Sequence, residues 1–383
     1  MKLLEYKAKD LFESFDIPTM NGVVIDSLDN LDKQISDGTL KYPVVAKAQV
    51  QVGGRGKAGG IRFANNPDEL KAICKDLLFS ELKGLPVNQL LIVEKASPRQ
   101  EWYLSIMLDR YSKMPLIIFS ARGGVDIEEV AKTEPEAIVK VTINPFLGIQ
   151  DYTVNYIVDK SGIGNEHAAQ LKDLLEKLYT VFTEYDCLLA EINPLALDES
   201  GKLIALDGKV DIDDSALYRL PDIAAFRDSL PEDPLVKEAR SFKFLYIPIE
   251  KGGNIAVMSN GSGMVMSCID LISKNGMTVG AALDLGGGST AERIKEAVRI
   301  VLSNPDIDTL FISVFGGITR CDEVAGGIRM ALEGEHRNKT VVVRMEGTNK
   351  QQGLDVIKSI GGSIVSVDGI PQGVAVLKER CAK

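Results

Sequence analysis

Histidine is nearly absent from this chain: His167 and His336 are the two in 383 residues. Neither lies in a glycine-rich or acidic cluster, so neither reads as a metal ligand or a phosphoryl acceptor. Cysteine is scarce as well. Cys74, Cys187, Cys268, Cys321 and Cys381 are scattered, odd in number and without a C-x-x-C pair, which argues against a disulfide scaffold or a zinc site. Basic residues are outnumbered, 44 Lys and Arg against 54 Asp and Glu, for a net charge of −10. No nucleic-acid partner is expected of such a chain. No apolar run reaches the length of a membrane span, and residues 1–6 lack the apolar stretch of a signal peptide. The expectation is a cytoplasmic protein without a membrane partner, or the mature form of an organelle protein.

What is present is an ordinary globular composition, 45% hydrophobic and 26% charged, with length for two or three domains. Leu4, Ala8, Leu11, Phe12 and Phe15 recur at helical spacing until Pro18. Strands are expected at 23–25, 44–46, 90–93, 104–108 and 116–119, and an amphipathic helix at 166–184, its stripe made by Leu171, Leu174, Leu175, Leu178 and Phe182. Segments 188–192 and 203–206 read as a hairpin turning at Asp198-Glu199-Ser200-Gly201. The first half is therefore mixed α+β. Pro231, Pro234 and Pro248 mark 228–250 as a linker. Beyond it, strands at 254–259, 278–283, 309–315, 340–345 and 364–367 alternate with helices at 264–274, 291–302, 321–333, 351–360 and 371–380. That alternation implies a doubly wound parallel sheet. Glycines follow its strands at Gly261 and Gly263, Gly286-Gly287-Gly288, Gly316-Gly317 and Gly347, on the edge where such sheets bind ligands.

Several clusters can carry chemistry. The strand Val44-Val45-Ala46-Lys47 delivers a lysine just ahead of Gly53-Gly54-Arg55-Gly56-Lys57-Ala58-Gly59-Gly60. Such a loop can turn N–H groups onto phosphate, and it is not a Walker loop. A solvated strand-end lysine beside a surface linker is the bland alternative. Glu94 and Glu101 close and open strands where a carboxylate can accept from a nucleoside. In Glu191-Ile192-Asn193-Pro194 the strand period of two projects Glu191 and Asn193 together, with Asp207 across the hairpin; this oxygen set suits Mg²⁺, or else is a polar cluster on an edge strand. Asn260-Gly261-Ser262-Gly263 and Gly316-Gly317-Ile318-Thr319-Arg320 stand at strand-to-helix junctions, as anion sites or as plain caps.

Together these motifs, with Leu4-Glu5-Tyr6-Lys7-Ala8-Lys9, Leu206-Asp207-Gly208-Lys209 and Asp284-Leu285-Gly286-Gly287-Gly288, closely resemble the β-subunit family of succinyl-CoA synthetases (succinate–CoA ligases) over nearly the whole chain. The resemblance implies an ATP-grasp nucleotide-binding region over 1–240, with a smaller inserted subdomain near 20–100, and a flavodoxin-like CoA-ligase domain over 245–383. It implies that Lys47, Gly54, Arg55, Gly56, Glu94, Ser97 and Glu101 contact the nucleotide. Asn193 and Asp207 would hold Mg²⁺, and Glu191 would orient the phosphorylated histidine of a partner α subunit. Asn260, Gly317, Ile318 and Thr319 would hold the carboxylate substrate, and the helix beginning near Thr319 would point at the phosphohistidine. The implied reaction is the reversible conversion of NTP, succinate and CoA to succinyl-CoA, NDP and phosphate, a step of the tricarboxylic acid cycle. CoA would be held mainly by the α subunit in an αβ or α2β2 complex. ATP/ADP is favoured over GTP/GDP by the bacterial-like short N-terminus, while Met20 and Gln51 stand near the family's base-recognition region, where residue types vary. Malate–CoA ligase shares nearly all these motifs. A stand-alone ATP-grasp carboxylate–amine ligase and a nucleotide-binding subunit without chemistry are the other readings.

Overall fold

The computed structural model describes residues 1–333 and 338–381, and His336 lies outside them. The chain divides into two units, Met1–Ser229 and Leu230–Lys383.

Unit 1 holds two main antiparallel sheets. The smaller orders Gly22–Ile25, Leu90–Glu94, Val44–Ala48 and Ile61–Ala64. Helices Leu28–Ser36 and Pro67–Leu77 are capped by Ser27 and Asn66, whose side chains accept from Asn30 N and Glu69 N. The larger sheet orders Leu203–Ala205, Cys187–Leu197, Gln100–Asp109, Met114–Ser120 and Ile138–Thr142, with Gly208–Ile212 also on Cys187–Leu197. The expected amphipathic helix forms as Ala168–Glu184, and all five stripe residues are buried. Each such side chain contributes roughly 1.5–3 kcal/mol on leaving water. The expected hairpin is longer than its sequence suggested. Its turn pairs Leu195–Leu197 with Leu203–Ala205, and after a break at Leu206 and Asp207 the chain pairs again over Cys187–Ile192. Residues 95–99 join the smaller sheet to the larger.

In unit 2 five parallel strands stand in the order Val279–Asp284, Ile255–Ser259, Thr309–Gly316, Thr340–Gly347 and Ile364–Val367. This 2-1-3-4-5 order is flavodoxin-like, and it reverses direction between Ile255–Ser259 and Thr309–Gly316. Helices Ala291–Leu302, Cys321–Leu332 and Lys350–Ile360 cover one face, and Ser262–Lys274 and Ile370–Cys381 the other. Burial on both faces explains the nearly continuous apolar strands. The stretch 228–250 is not a linker. Pro234 sits in the first turn of helix Pro234–Ser241, which Asp233 caps, and Leu245–Pro248 adds an antiparallel edge strand to Val279–Asp284. A proline costs nothing at those two kinds of place, a helix start and a sheet edge. No helix among the described residues is long and apolar enough to cross a membrane.

Candidate functional site

Lys47 is buried, not solvated at a strand end. It is the fourth residue of Val44–Ala48, and its ammonium donates to Glu5 Oε1 at 2.7 Å and to the Leu206 carbonyl at 2.8 Å. The glycine-rich segment connects Val44–Ala48 to Ile61–Ala64; Val50 and Val52 lie outside both strands. Gly54 and Gly59 take φ of +69° and +76°, which lets the loop fold back until the Gly60 N–H reaches the Arg55 carbonyl at 2.9 Å. The turn sends the Arg55 guanidinium inward. It meets Glu5 Oε2 at 2.6 Å, Asp207 Oδ2 at 3.0 Å and the Ala48 carbonyl at 3.2 Å. Lys57 stays outside, 3.7 Å from Asp126.

Two cations and two carboxylates thus close a compact cluster of Glu5, Lys47, Arg55 and Asp207. Burial opposes the charge on Glu5, but Lys47 and Arg55 outweigh it and hold its carboxyl below the usual range. Asp207 goes the other way. Burial first, and the Glu5 charge second, push it up to about 6 despite Arg55 and Lys47. The deeper acid takes the larger share of the two cations.

Glu191 lies on a strand flanked on both sides, so an edge-strand cluster is excluded. Its Oε2 accepts from the Tyr103 hydroxyl at 3.0 Å. Burial raises its pKa, while Lys209 and the Tyr103 hydrogen bond pull it down. The register shifts between Ile192 and Leu195, so the strict alternation expected to align Asn193 with Glu191 does not extend across it. Instead the Asn193 amide is fixed by a loop: Gly124 N donates to Oδ1 at 2.8 Å, and Nδ2 donates to the Val125 carbonyl at 3.0 Å. Asn193 N donates to the Asp207 carbonyl at 3.2 Å, so the two residues expected to hold Mg²⁺ are neighbours. One carboxylate and one amide oxygen are hard donors that fit this ion. Asp207 would exchange its bond to Arg55 for the metal.

Glu94 ends the strand Leu90–Glu94 of the smaller sheet, Ser97 is exposed in the connection, and Glu101 is the second residue of Gln100–Asp109 in the larger. The Glu101 carboxylate lies against Gly124, where a Cβ would come within 2.5 Å of it. Glu5, Phe12, Met20, Leu91, Val93, Leu206 and Asp207 line a small cavity bounded by the helix Glu5–Ser14, the strand Leu90–Glu94 and the segment around Leu206 and Asp207.

Unit 2 gathers the second set. At the strand-order reversal, Asn260 and Phe315 exchange two hydrogen bonds, Nδ2 to the Phe315 carbonyl at 2.8 Å and Phe315 N to Oδ1 at 3.1 Å. Thr319 is buried and its hydroxyl accepts from Gly288 N at 2.9 Å. Asp284 accepts from Ser262 Oγ at 2.6 Å and Gly286 N at 2.9 Å. Three loops on one sheet edge are thereby tied together. Gly317 has open space around it and Ile318 is 87% exposed. The helix starts at Cys321. Its first turn carries Asp322, which the Arg320 guanidinium holds down at about 2.

Sequence reasoning missed Glu5, Tyr103, the Gly123-Gly124 pair and Asp284. Glu5 and Asp284 lie in the stretches Leu4–Lys9 and Asp284–Gly288 that carry the family resemblance, and Gly123-Gly124 repeats the strand-then-glycine signal of unit 2. Tyr103 gave no signal. His167 packs edge-on against Trp102, 5.4 Å between ring centres, as a packing residue would.

Comparison with known proteins agrees along the chain. The family model described as ATP-grasp domain matches residues 2–197, and the one described as CoA-ligase matches 258–370. A protein of Chloroflexus aurantiacus named succinate–CoA ligase [ADP-forming] subunit beta is 42% identical over 354 residues, 92% of each chain. One of the same name from Pyrobaculum islandicum is 40% identical over 94% of this chain and 95% of its own. The solved ATP citrate lyase of Methanothrix soehngenii, in complex with citrate and coenzyme A, shares the fold with a TM-score of 0.78 at 18% identity, covering 100% of this chain and 99% of that one. The chain belongs to the family of ADP-forming succinate–CoA ligase β subunits, an ATP-grasp half followed by a CoA-ligase half.

Proposed function

We propose that this chain is the nucleotide-using subunit of a cytoplasmic succinate–CoA ligase that works with an α subunit carrying a phosphorylated histidine. It would catalyse the reversible reaction of ATP, succinate and CoA to succinyl-CoA, ADP and phosphate, a step of the tricarboxylic acid cycle. The observation that carries the reading is a likeness of about 40% identity running through both halves, while unit 1 gathers Lys47, Arg55, Asn193 and Asp207 in one place. The scarcity of histidine supports an acceptor on another chain.

The nucleotide lies in unit 1, with Lys47, Arg55 and the N–H groups of Gly54 and Gly56 toward its phosphates, and Glu94, Ser97 and Glu101 toward the nucleoside. These residues offset the charge of the moving phosphoryl group and hold it in line. Mg²⁺ on Asn193 and Asp207 would neutralise phosphate charge. Ionised Glu191 accepts an N–H of the partner's imidazole and so aims the other ring nitrogen at phosphorus. In unit 2, Asn260, Gly317, Ile318 and Thr319 hold succinate, whose carboxylate oxygen takes the phosphoryl group from nitrogen. The CoA thiolate then attacks the acyl phosphate and phosphate leaves. CoA itself sits mainly on the α subunit.

The test is the chain purified with its α subunit and given Mg²⁺, CoA and succinate or malate, with ATP and GTP side by side. Succinyl-CoA formed with ATP, and label passing from ATP to the α subunit, are expected. Turnover with malate and none with succinate, or no label on the α subunit, would overturn the reading.

A further inference from the structure

Glu5 has no role in the reaction as described, yet it is the most deeply placed member of the charge cluster, its side chain 4% exposed. A carboxylate there pays a heavy desolvation penalty unless it is fully paired. Oε1 accepts from the Lys47 ammonium, while Oε2 stands 2.6 Å from the Arg55 guanidinium as an ion pair without the alignment of a hydrogen bond. Those partners come from different places, a strand and the glycine-rich loop, while Glu5 stands in the first turn of the helix Glu5–Ser14. Arg55 is also held by Asp207 and by the Ala48 carbonyl, so Glu5 sets its place jointly with them, whereas the Lys47 ammonium is held by Glu5 and the Leu206 carbonyl. Lys47 spends two of its three N–H bonds on Glu5 and the Leu206 carbonyl, which leaves the third for a ligand.

We infer that Glu5 is a positioning residue for the nucleotide phosphates: its two oxygens set the spacing and direction of the Lys47 ammonium and the Arg55 guanidinium. The inference rests on the nucleotide reading of unit 1. It differs from a mere counter-charge role, in which Glu5 would only balance the cations and compete with phosphate.

Geometry and charge are separated by Glu5→Asp, which keeps the charge and withdraws the carboxylate by one methylene. In the complex with the α subunit, ADP affinity by calorimetry and the rate of ATP-driven labelling of the α subunit are expected to fall at least about tenfold, as for a lost charge-assisted hydrogen bond. Labelling of the α subunit from succinyl-CoA and inorganic phosphate uses no nucleotide and is expected to stay at the wild-type rate. Glu5→Gln keeps one acceptor and frees one cation, so ATP-driven labelling is expected to fall there too. Wild-type ADP affinity in Glu5→Asp overturns the inference. So does a Glu5→Gln complex that binds ADP more tightly and transfers at the wild-type rate, or loss of both labelling reactions together in Glu5→Asp. Calorimetry needs no turnover, so a wild-type complex that binds ADP without labelling its partner counts against the reaction and not against Glu5.

Discussion

Replacing Tyr103 by Phe removes a single oxygen from the site and tests what Glu191 is for. The ring is 3% exposed and would keep its packing. What goes is the hydroxyl that donates to Glu191 Oε2 at 3.0 Å. Burial and the neighbouring Glu191 keep the tyrosine protonated far above neutral pH, so it is a donor throughout the working range. A hydrogen bond to an ionised group contributes about 1.5–3 kcal/mol. One pKa unit is about 1.36 kcal/mol, so the Glu191 pKa should climb by about 1–2 units from a value that burial has already raised. If Glu191 must be ionised to accept an imidazole N–H, the acid limb of the rate profile moves up by the same amount. The alkaline plateau stays near wild type. The assay is the initial rate of ATP-driven labelling of the α subunit over roughly pH 6 to 9, with variant and wild type in parallel. A profile that superimposes on wild type refutes the coupling. A uniform drop at every pH also refutes it, and would make Tyr103 a packing residue only.

Two further outcomes follow from the same geometry. The Asp207 carboxyl is raised to about 6, so its folded form binds protons that the unfolded chain has released, and the stability this brings is lost as pH rises through that value. Between about pH 5 and 7, urea denaturation should show wild type losing roughly 1 kcal/mol more than Asp207→Asn; a pH-independent difference would contradict the assignment. The adjacent glycines of helix Cys321–Leu332 should respond with opposite signs. A Cβ at Gly327 would meet the Ala291 carbonyl at 2.5 Å and Ile294 Cβ at 2.6 Å, whereas at Gly326 the nearest atom is Ala291 Cβ at 3.6 Å. Gly327→Ala should destabilise by about 1–3 kcal/mol through overpacking, and Gly326→Ala should stabilise by up to about 1 kcal/mol through helix propensity. Thermal melts that order the two the other way would refute the packing argument.

The doubly wound half was legible almost element by element, because short apolar strands and amphipathic helices alternate there and each carries its own period. The five parallel strands lie where the alternation put them, and the glycines after them line one edge. The proline-bearing stretch misled for a local reason. Proline in a run of acidic residues signals a break, but Asp233-Pro234 is a helix start and Pro248 ends a sheet edge. The first half was legible in its strands and less so in its pairing. Nothing local tells that Cys187–Leu197 pairs twice on one side, with Asp207 in the gap.

The charge cluster shows where reading along the chain stops. Val44-Val45-Ala46-Lys47-Ala48 is an apolar strand with one misfit, and every residue of it is buried. A misfit lysine inside such a run carries information, since a buried ammonium needs an anionic or carbonyl partner. The sequence therefore announces that Lys47 has a partner and cannot say which of 54 acids it is. The answer is 42 residues away for Glu5, and Arg55 reaches 152 residues to Asp207. Periodicity reports only on neighbours within a few residues, so it cannot choose among such distant candidates. Glu5 was legible as the start of a helix. Its deeper function came from the strand and the loop that fold onto it.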